Sequence, residues 1–397
     1  MADAACSSDD SGGVHGATFG DDSGTTDGGH TLDGAPAESD GSTGTDGAPS
    51  NDGSAGGDGS TGSCTSGTVA VIGGGTTSFG ATGIGDGAPV AQSITGGIGA
   101  LPAILSFGTG FQAAYADASK QLRSTGFAGA SWSTPTAIGD SAHQQPSLAA
   151  YGTSLLLAYV RLGDGGSYDL GYSTFNGTSW TAPGDITGAF SVQAPGVAGS
   201  GTSAVEGQVG SDGHIYVQQY ATSGGAGTDV MSDGANLGYY DTPFSTGVRL
   251  APLSGGSSDL VLVYTRTVDY KLMALTRTGG TWSTPKLANT NAYTTEAFNL
   301  AALAGGKAVI AWRGADTHGY ATVFDGTSWS APITVASFAI GSAPAVTAGN
   351  CSSLFIAAYA KTGGGVELVR YNGTAVSAPQ SIASTTGASY VGVAVSP

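Results

Sequence analysis

Four cationic side chains follow aromatic residues at a nearly constant spacing. Arg161, Arg266 and Lys361 lie two residues after a tyrosine that ends an apolar run, and Arg313 lies one residue after a tryptophan. Three further side chains are close to them in sequence: Tyr168, Tyr270 and His318. Cations beside aromatic rings can hold a carboxylate, a sulfate or an acidic sugar. In the alternative interpretation they are isolated charges that pair with neighbouring carboxylates: Asp164, Asp269 and Asp316.

A repeated phrase of a turn, a tryptophan and a proline relates these cations to one another. It reads GASWSTP, NGTSWTAP, GGTWSTP and DGTSWSAP around Trp132, Trp180, Trp282 and Trp329, and NGTAVSAP around Val376. Neighbouring phrases are about 47 residues apart, and Trp180 and Trp282 are separated by about two such units. Residues 67–397 therefore divide into seven repeats.

Each repeat reads as four short strands separated by Gly-Asx turns, as in residues 146–186. Four strands per repeat, with a tryptophan on the outer strand, predict an all-β, seven-bladed β-propeller. Second strands are expected to end at Tyr115, Tyr159, Tyr220, Tyr264, Trp312 and Tyr359. First strands are expected to begin near Pro102, Pro146, Val205, Leu250, Asn299 and Pro344. The cations then lie in the loops between second and third strands, on one rim.

The third repeat departs from this pattern. Residues 236–244 resemble the third strand at 169–175, but no tryptophan strand follows them. The connections at 187–203 and 222–235 are longer than their equivalents, and extra length in a regular repeat is often functional or disordered.

The two ends of the repeat region complement each other. Residues 388–395 resemble a first strand, whereas TVAVIGG, TTSFGATG and APVAQSITG near the start resemble second, third and fourth strands. One C-terminal strand and three N-terminal strands are thus expected to form the seventh blade, which closes the ring and leaves no free sheet edge.

Residues 1–66 have a different composition from the rest of the chain. They contain 12 acidic residues, no Lys or Arg and one aromatic residue, within a Gly/Ser/Asp-rich sequence. Such a segment cannot bury enough apolar surface to offset its ordering entropy, so we expect a disordered acidic tether.

The composition excludes several functional classes. With a net charge of −17 and 12 Lys and Arg residues, the chain lacks the basic surface of a nucleic-acid binder. No apolar run approaches the length of a membrane span. The repeat region has three widely separated histidines, no metal-ligand spacing, no phosphate-binding loop and no nucleophile elbow. No metal, cofactor or catalytic residue is therefore expected.

The phrases FDGTSW at 324–329 and FNGTSW at 175–180 resemble degenerate Asp-boxes of sialidase-type propellers. The whole repeat is more similar to seven-bladed bacterial fucose-binding lectins of the PLL type. This resemblance implies a non-enzymatic propeller that binds glycans or polysaccharide through several weak sites, with tryptophans packed between blades. In the alternative interpretation some tryptophans line sugar-stacking pockets.

Two other functions remain open. A sialidase-like hydrolase would need an arginine cluster and a Tyr–Glu nucleophile pair, and the propeller has three glutamates: Glu206 and Glu296 at the start of first strands, and Glu367 on a third strand. A protein-binding scaffold would use the enlarged loops of the third blade. A glycan array and a fluorogenic sialoside assay separate the three functions.

The cysteines suggest an exported protein. Cys351 lies in the turn between the first and second strands of blade 6, and Cys64 lies in the matching region of blade 7. We therefore expect a Cys64–Cys351 disulfide in an oxidising compartment. No signal peptide is visible, but Ala4-Ala5-Cys6 and the polar spacer after it resemble the mature start of a bacterial lipoprotein, which implies a lipid anchor at Cys6 and a cell-surface or extracellular location.

Overall fold

The computed structural model describes residues 67–396, except 163–167, 192, 211–213, 222–229, 237–246, 254–258 and 267. The chain divides into two units, Met1–Ser60 and Thr61–Pro397. The described residues all belong to the second unit, and they form strands, turns and loops without a helix. The predicted tether, including Cys6 and Cys64, lies outside the described residues.

Seven antiparallel sheets make a seven-bladed β-propeller, which confirms the predicted fold class. Blade 1 contains β4 (Ala103–Phe107), β5 (Gly110–Ala116), β6 (Gln121–Ala128), β7 (Ser131–Trp132) and β8 (Thr136–Ser141). Blade 2 contains β9 (Ser147–Tyr151), β10 (Ser154–Leu162), β11 (Tyr168–Phe175) and β12 (Gly184–Phe190). Blade 3 contains β13 (Gly196–Ser200), β14 (Ser203–Val209), β15 (Ile215–Ala221) and β16 (Val230–Asn236).

The remaining blades follow the same order from the inner to the outer strand. Blade 4 contains β17 (Val248–Pro252), β18 (Leu260–Thr265), β19 (Leu272–Thr278), β20 (Thr281–Trp282) and β21 (Lys286–Leu287). Blade 5 contains β22 (Phe298–Leu303), β23 (Lys307–Arg313), β24 (Gly319–Phe324) and β25 (Ile333–Ala336). Blade 6 contains β26 (Ala345–Ala348), β27 (Phe355–Ala360), β28 (Val366–Tyr371) and β29 (Gln380–Ile382).

Blade 7 combines strands from the two ends of the repeat region. It contains β30 (Tyr390–Ser396) as the inner strand, followed by β1 (Thr68–Gly74), β2 (Ser78–Ile84) and β3 (Val90–Ile94). β30 pairs with β1 over seven residues, from Thr68 opposite Ser396 to Gly74 opposite Tyr390. Val69, Val71 and Val393 of this pair pack against strands of blade 6. The inner strands of all seven blades line one central channel.

The predicted assignment of strands in blade 3 is wrong. Its first strand is β13, which lies inside the segment that we interpreted as a long connection, and its second strand is β14. Val205 therefore lies within the second strand instead of starting the first, and Tyr220 lies on the third strand. Glu206 also belongs to the second strand, where it is fully buried. The segment 236–244, expected to be a third strand, begins at the last residue of the fourth strand, and residues 237–246 lie outside the described part.

β13 escaped the pattern because its sequence, GVAGS, has no large apolar residue. Its glycines allow close approach to the neighbouring inner strands. A Cβ atom on Gly199 would lie 1.6 Å from the carbonyl oxygen of Ala150, and one on Gly196 would lie 2.8 Å from the Cα atom of Arg249. Close backbone packing therefore replaces side-chain burial in this strand.

The repeated turn-tryptophan phrase, with valine in place of tryptophan in blade 6, forms a tight turn after the third strand of five blades: 1, 2, 4, 5 and 6. In FNGTSW, Oδ1 of Asn176 accepts hydrogen bonds from the backbone N–H groups of Thr178 and Ser179, both at 2.9 Å. Asp325 and Asn372 make the same pair of bonds in their own turns. These Asx turns return the chain so that the tryptophan lies opposite the last residue of the third strand, as in the bridges Phe175–Trp180 and Phe324–Trp329.

The tryptophans contribute to packing between blades. Trp132 of blade 1 is nine-tenths buried and packs with Ile72 and Ile94 of blade 7. The ring atoms of Trp132 come within 2.4 Å of where a Cβ on Gly80 would be, so only glycine fits there. Trp329 packs with residues of blades 4 and 5, and Trp282 with residues of blades 3 and 4.

Cys351 lies in the turn between β26 and β27, in the left-handed region at φ 57°, and it is disulfide-bonded. Gly67, the first described residue, lies close to Asn350, the residue before Cys351: a Cβ atom on Gly67 would be 3.4 Å from Cβ of Asn350. Cys64 is three residues before this contact. The Cys64–Cys351 pairing stays a prediction, because Cys64 lies outside the described residues.

Candidate functional site

The seven predicted binding residues lie on the same side of the ring. Second strands end and third strands begin there, and the connections from one blade to the next run along it. We call this side the connection rim. Buried aromatic side chains anchor the second strands below it: Tyr115, Tyr159, Tyr264, Trp312 and Tyr359, each no more than 3% exposed. The predicted residues are distributed over blades 2, 4, 5 and 6.

In blade 2, Arg161 is held by carboxylates of two blades. Its Nη1 lies 3.4 Å from Oδ2 of Asp140, which comes from β8 of blade 1, and its Nη2 pairs with Asp185 of β12. Oδ2 of Asp140 also accepts a hydrogen bond of 2.9 Å from the hydroxyl of Tyr159. Burial, followed by the charge of Asp140, raises the pKa of Tyr159, so this hydroxyl keeps its proton. Asp164, the expected partner of Arg161, lies outside the described residues.

Tyr168 presents an exposed aromatic ring in the same blade. Its side chain is 38% exposed, and its ring meets the His143 ring edge-on at 5.8 Å between centroids. Nδ1 of His143 lies 3.1 Å from Nζ of Lys120, on the loop of the preceding blade. Partial burial and the charge of Lys120 lower the pKa of His143, so the imidazole is neutral at pH 7. An aromatic face, an imidazole and an ammonium group thus adjoin one another on the rim.

In blade 4, Arg266 forms a bidentate pair with Asp269 of the same loop. Nε of Arg266 lies 2.9 Å from Oδ1 and Nη2 lies 2.5 Å from Oδ2. The hydrogen bonds from Arg266 lower the pKa of Asp269. The next residue, Tyr270, adopts a positive φ of 57° and meets Tyr293 of the connection to blade 5 edge-on at 5.9 Å. Val268 in the same loop is 84% exposed.

In blade 5, Arg313 pairs with a carboxylate from the connection that precedes the blade. Its Nη1 binds Glu296, and its Nε donates to the carbonyl oxygen of Ile340 at 2.8 Å. Glu296 lies two residues before β22, near the predicted start of a first strand.

The predicted residue His318 lies in the loop between β23 and β24 of blade 5. Its Nδ1 is 3.3 Å from Oδ2 of Asp316. Asp316 also accepts hydrogen bonds from the backbone N–H of His318 and, at 2.6 Å, from the hydroxyl of Tyr320, and these bonds lower its pKa. The Tyr320 ring is stacked on Trp312 at 5.8 Å. Asp316 therefore pairs with His318 and Tyr320, and not with the arginine beside it.

In blade 6, Lys361 binds a largely buried glutamate. Its Nζ lies 2.6 Å from Oε1 of Glu367 and 5.8 Å from the centre of the Phe338 ring. Oε2 of Glu367 accepts a hydrogen bond of 3.2 Å from the hydroxyl of Tyr359. This is the Tyr–Glu combination that a sialidase nucleophile would require. Both side chains lie beneath the surface, Tyr359 completely and Glu367 at 7% exposure, so neither can reach a substrate in this conformation.

The structure brings some of the predicted residues together and separates others. Ile340, whose carbonyl binds Arg313, also forms a β-bridge with Lys361, so these two cations flank one connection. In blade 2, Arg161 pairs with Asp140 and Asp185, whereas Tyr168 contacts His143. Each of the four cations has at least one carboxylate partner. The predicted cations of the rim are therefore ion-paired, and the pairs of blades 2 and 6 also contact aromatic side chains.

A further cluster lies between blades 7 and 1, and the sequence pattern did not reveal it. A cavity of about 230 Å³ is bounded by Gly96 and Gly97 of the connection, together with Tyr115, Asp117 and Arg123. Nε of Arg123 lies 3.0 Å from Oδ2 of Asp117. Burial raises the pKa of Tyr115 to about 12, and its hydroxyl has no hydrogen-bond partner among the described residues. Arg123 was missed because it comes from the third strand, opposite the tyrosine, instead of following it.

One tryptophan also lines a cleft on the opposite side of the ring. Trp180 borders a space of about 760 Å³ between blades 1 and 2, together with Phe107 and Phe175. The Trp180 and Phe175 rings are 5.2 Å apart. Trp180 therefore combines packing against its own blade with exposure to a cleft of the kind expected for stacking on a sugar.

Within the described part of the chain, no group of three or more His, Cys, Asp or Glu side chains could hold a metal ion. The same residues include no helix long and apolar enough to cross a membrane.

Comparison with known proteins identifies the fold. No protein-family model and no curated protein matches the sequence. The BP39L lectin from Burkholderia pseudomallei matches with a TM-score of 0.60 and 15% sequence identity, over 81% of this chain and 96% of that chain. A variant of AofleA from Arthrobotrys oligospora, with three arginines replaced by alanine, matches with a TM-score of 0.52 and 11% identity, over 75% and 90% of the two chains.

A lectin from Aleuria aurantia, solved in complex with Fucα1-6GlcNAc, has a TM-score of 0.49 and 16% identity, over 72% of this chain and 96% of that chain. The two matches with TM-scores of 0.60 and 0.52 show a shared fold, and at 15% and 11% identity they show the fold alone.

Proposed function

We propose that this chain is a lectin-like β-propeller that binds glycans at several sites on the connection rim, without turning them over. The observation that carries the proposal is the repetition of one chemical arrangement around the rim. Blades 2, 4, 5 and 6 each have a cation–carboxylate pair whose cation follows the buried aromatic residue of the second strand by one or two residues, and the cavity between blades 7 and 1 adds a fifth pair. Repetition favours multivalent binding of a polymeric or clustered ligand.

This arrangement suits sugar hydroxyls. A guanidinium group paired with a carboxylate supplies fixed donors and acceptors at one place, and each sugar hydroxyl can use both. The exposed Tyr168 ring offers an apolar face for the C–H face of a sugar. Since each of the four predicted cations is already paired with a carboxylate, neutral sugars fit as well as acidic ones. The predicted ligand-binding residues are thus Arg161, Tyr168, Arg266, Tyr270, Arg313, His318 and Lys361, with Tyr115, Asp117 and Arg123 added.

One of these sites lies in the cavity between blades 7 and 1. Its Tyr115 hydroxyl is buried and has no hydrogen-bond partner among the described residues, so a hydroxyl or water molecule that enters the cavity can bond to it without breaking an existing bond. Gly96 borders this cavity at a φ of 95°, and no other atom lies within 4 Å of the position that a Cβ atom would occupy on it.

The test is a glycan array probed with the full chain in multivalent display. β23 supplies a matched pair of variants, because Arg313 ends the strand on the connection rim and Lys307 begins it on the opposite side. Binding should fall for Arg313→Ala and persist for Lys307→Ala, with both variants checked by thermal melting. If the folded wild-type chain binds no glycan, the lectin proposal is wrong.

Two further variants locate the binding surface. Arg123→Ala should weaken binding through the cavity between blades 7 and 1. Loss of binding in Trp180→Ala, with Arg313→Ala and Arg123→Ala unaffected, would instead place the site in the opposite cleft and refute the rim. Release of fluorophore from a sialoside would show turnover and favour the hydrolase.

We further propose that the chain acts outside the cell, anchored through a lipid on Cys6 and a tether formed by residues 1–66. The disulfide at Cys351 supports an oxidising compartment. Metabolic labelling with a radioactive fatty acid, comparing the wild type with Cys6→Ser, tests the anchor: label should enter only the wild type, and equal labelling would exclude Cys6.

A further inference from the structure

Side chains from three blades form a polar bridge across the central channel. Nη2 of Arg249, on β17, donates to Oε1 of Gln145, which precedes β9. Nε2 of Gln145 donates to Oδ1 of Asn299, on β22, at 3.2 Å. Nδ2 of Asn299 then donates to the carbonyl oxygen of Pro344, before β26, at 2.9 Å. We call Arg249, Gln145 and Asn299 the channel network; it lies near the beginnings of the inner strands.

Arg249 is the charged member of this network and is deeply buried. Its side chain is 6% exposed, and its guanidinium carbon lies 5.8 Å from the centre of the Phe298 ring. Nη1 donates to the carbonyl oxygens of Val248 at 2.8 Å and Pro195 at 3.3 Å. Nε has no hydrogen-bond partner among the described residues. Every group that accepts a hydrogen bond from Arg249 is therefore neutral.

No carboxylate of the described residues forms an ion pair with Arg249. The contrast is with Arg370, also largely buried, whose Nε lies 3.4 Å from Oδ1 of Asp86. Burial lowers the pKa of Arg249 to about 10, and the group still carries its charge at neutral pH. A buried charge is strongly destabilising unless an opposite charge compensates it. Within the described part of the chain, this compensation is missing.

The channel beside Arg249 has room for a ligand. It encloses about 430 Å³ and is lined by the inner strands of all seven blades, whose residues there include small ones such as Ala149, Ala198 and Ala301. Gln145 and Asn299 border the same space. Their amide groups can hydrogen-bond a ligand that the guanidinium group attracts.

We propose that the central channel binds an oxyanion, either a carboxylate or a phosphate or sulfate group, against Arg249. The anion supplies the missing charge, and the channel network supplies neutral polar contacts. The site lies on the axis of the ring, at the end of the channel where the inner strands begin, and Arg249, Gln145 and Asn299 take no part in the ion pairs of the predicted rim residues. It is thus independent of the proposed glycan sites, where each cation already has a carboxylate.

The experiment measures thermal unfolding of the full chain in inorganic phosphate, in sodium sulfate and in sodium glucuronate, each against sodium chloride at equal ionic strength. At least one oxyanion should raise the melting temperature in a saturable way, and Arg249→Gln should lose the whole rise. A rise with phosphate or sulfate alone identifies a tetrahedral anion, and a rise with glucuronate identifies a carboxylated ligand. No rise with any of the three, or an equal rise in the variant, overturns the proposal.

A second variant keeps the test decisive if Arg249→Gln fails to fold. Gln145→Glu places a carboxylate beside the guanidinium group and should abolish the anion-dependent rise while Arg249 remains. Gln144→Glu adds the same charge one residue away and should retain the rise. A full rise in Gln145→Glu would also overturn the proposal. Neither variant alters a cation of the connection rim, so glycan binding reports separately on the proposed function.

Discussion

Replacing Glu206 with glutamine tests the energetic cost of a buried carboxyl group in blade 3. Glu206 is fully buried, and neither of its oxygens has a hydrogen-bond partner among the described residues. It lies on β14 directly opposite Gln218, and burial, followed by the charge of Glu206, raises the pKa of the nearby Tyr220 hydroxyl. Burial raises the pKa of Glu206 well above its ordinary value, so the folded chain binds a proton that the unfolded chain releases.

The sign of the pH dependence follows from this shift. Because the folded-state pKa is raised, the contribution of Glu206 to stability is fully present below the pKa of the unfolded chain and is lost as the pH rises through the folded-state pKa. The slope is about 1.4 kcal/mol per pH unit for one proton. Between pH 5 and pH 6, the wild type should therefore lose about 1 kcal/mol relative to Glu206→Gln.

The assay is guanidinium unfolding at pH 5 and pH 6, with the free energies compared between proteins. Glu206→Gln preserves size and shape, so it should be more stable than the wild type at pH 6. Glu296→Gln removes a half-exposed glutamate and serves as the control; it keeps Glu206 and so should keep the fall in stability that this residue causes. Parallel pH profiles for the wild type and Glu206→Gln would refute the reasoning.

Three other predictions concern packing, closure and covalent linkage. Trp132→Ala should lower the free energy of unfolding by about 3–5 kcal/mol, measured in denaturant, since it leaves a cavity against Gly80; a loss below 1 kcal/mol would show that blades 1 and 7 do not depend on this contact. Deleting residues 390–396 should expose the edge of β1 and cause aggregation on heating, followed by light scattering, whereas an unchanged cooperative melt would contradict the composite blade. Peptide mapping under non-reducing conditions should recover Cys64 linked to Cys351, and unlinked peptides from exported protein would reject the pairing.

The sequence predicted the regular blades because their determinants are local. The Asx turn at Asp325 and the ring contact between Phe324 and Trp329 both lie within a few residues, so a repeated phrase reveals them. Blade 3 could not be read in this way. β13 packs through glycine backbone, and β14 carries a buried glutamate where other blades have apolar residues, so neither strand has the expected pattern.

The positions of the candidate site residues could be predicted from the sequence, but their ion-pair partners could not. The spacing after the second-strand aromatic placed Arg313 on the rim, but its partner Glu296 comes from the preceding connection, 17 residues earlier. The partner of Arg161, Asp140, comes from the preceding blade. Arg249 was not singled out because a single arginine within a strand does not indicate which way it points. Only the ring arrangement brings it to Gln145, 104 residues away.

The composite blade also has a consequence for biosynthesis. The ribosome makes β1 to β3 first, but their inner neighbour, β30, is completed only at residue 396. Until then, β1 has an unpaired edge, and β26, the inner strand of blade 6, lacks its neighbour in blade 7. Chaperone binding during translation or export would protect the chain from aggregation at this stage. The same pairing places Thr68 beside Ser396. A circular permutant that joins these residues through a short linker, with its new chain ends between two other blades, should therefore retain the fold. In this permutant all four strands of blade 7 are made consecutively.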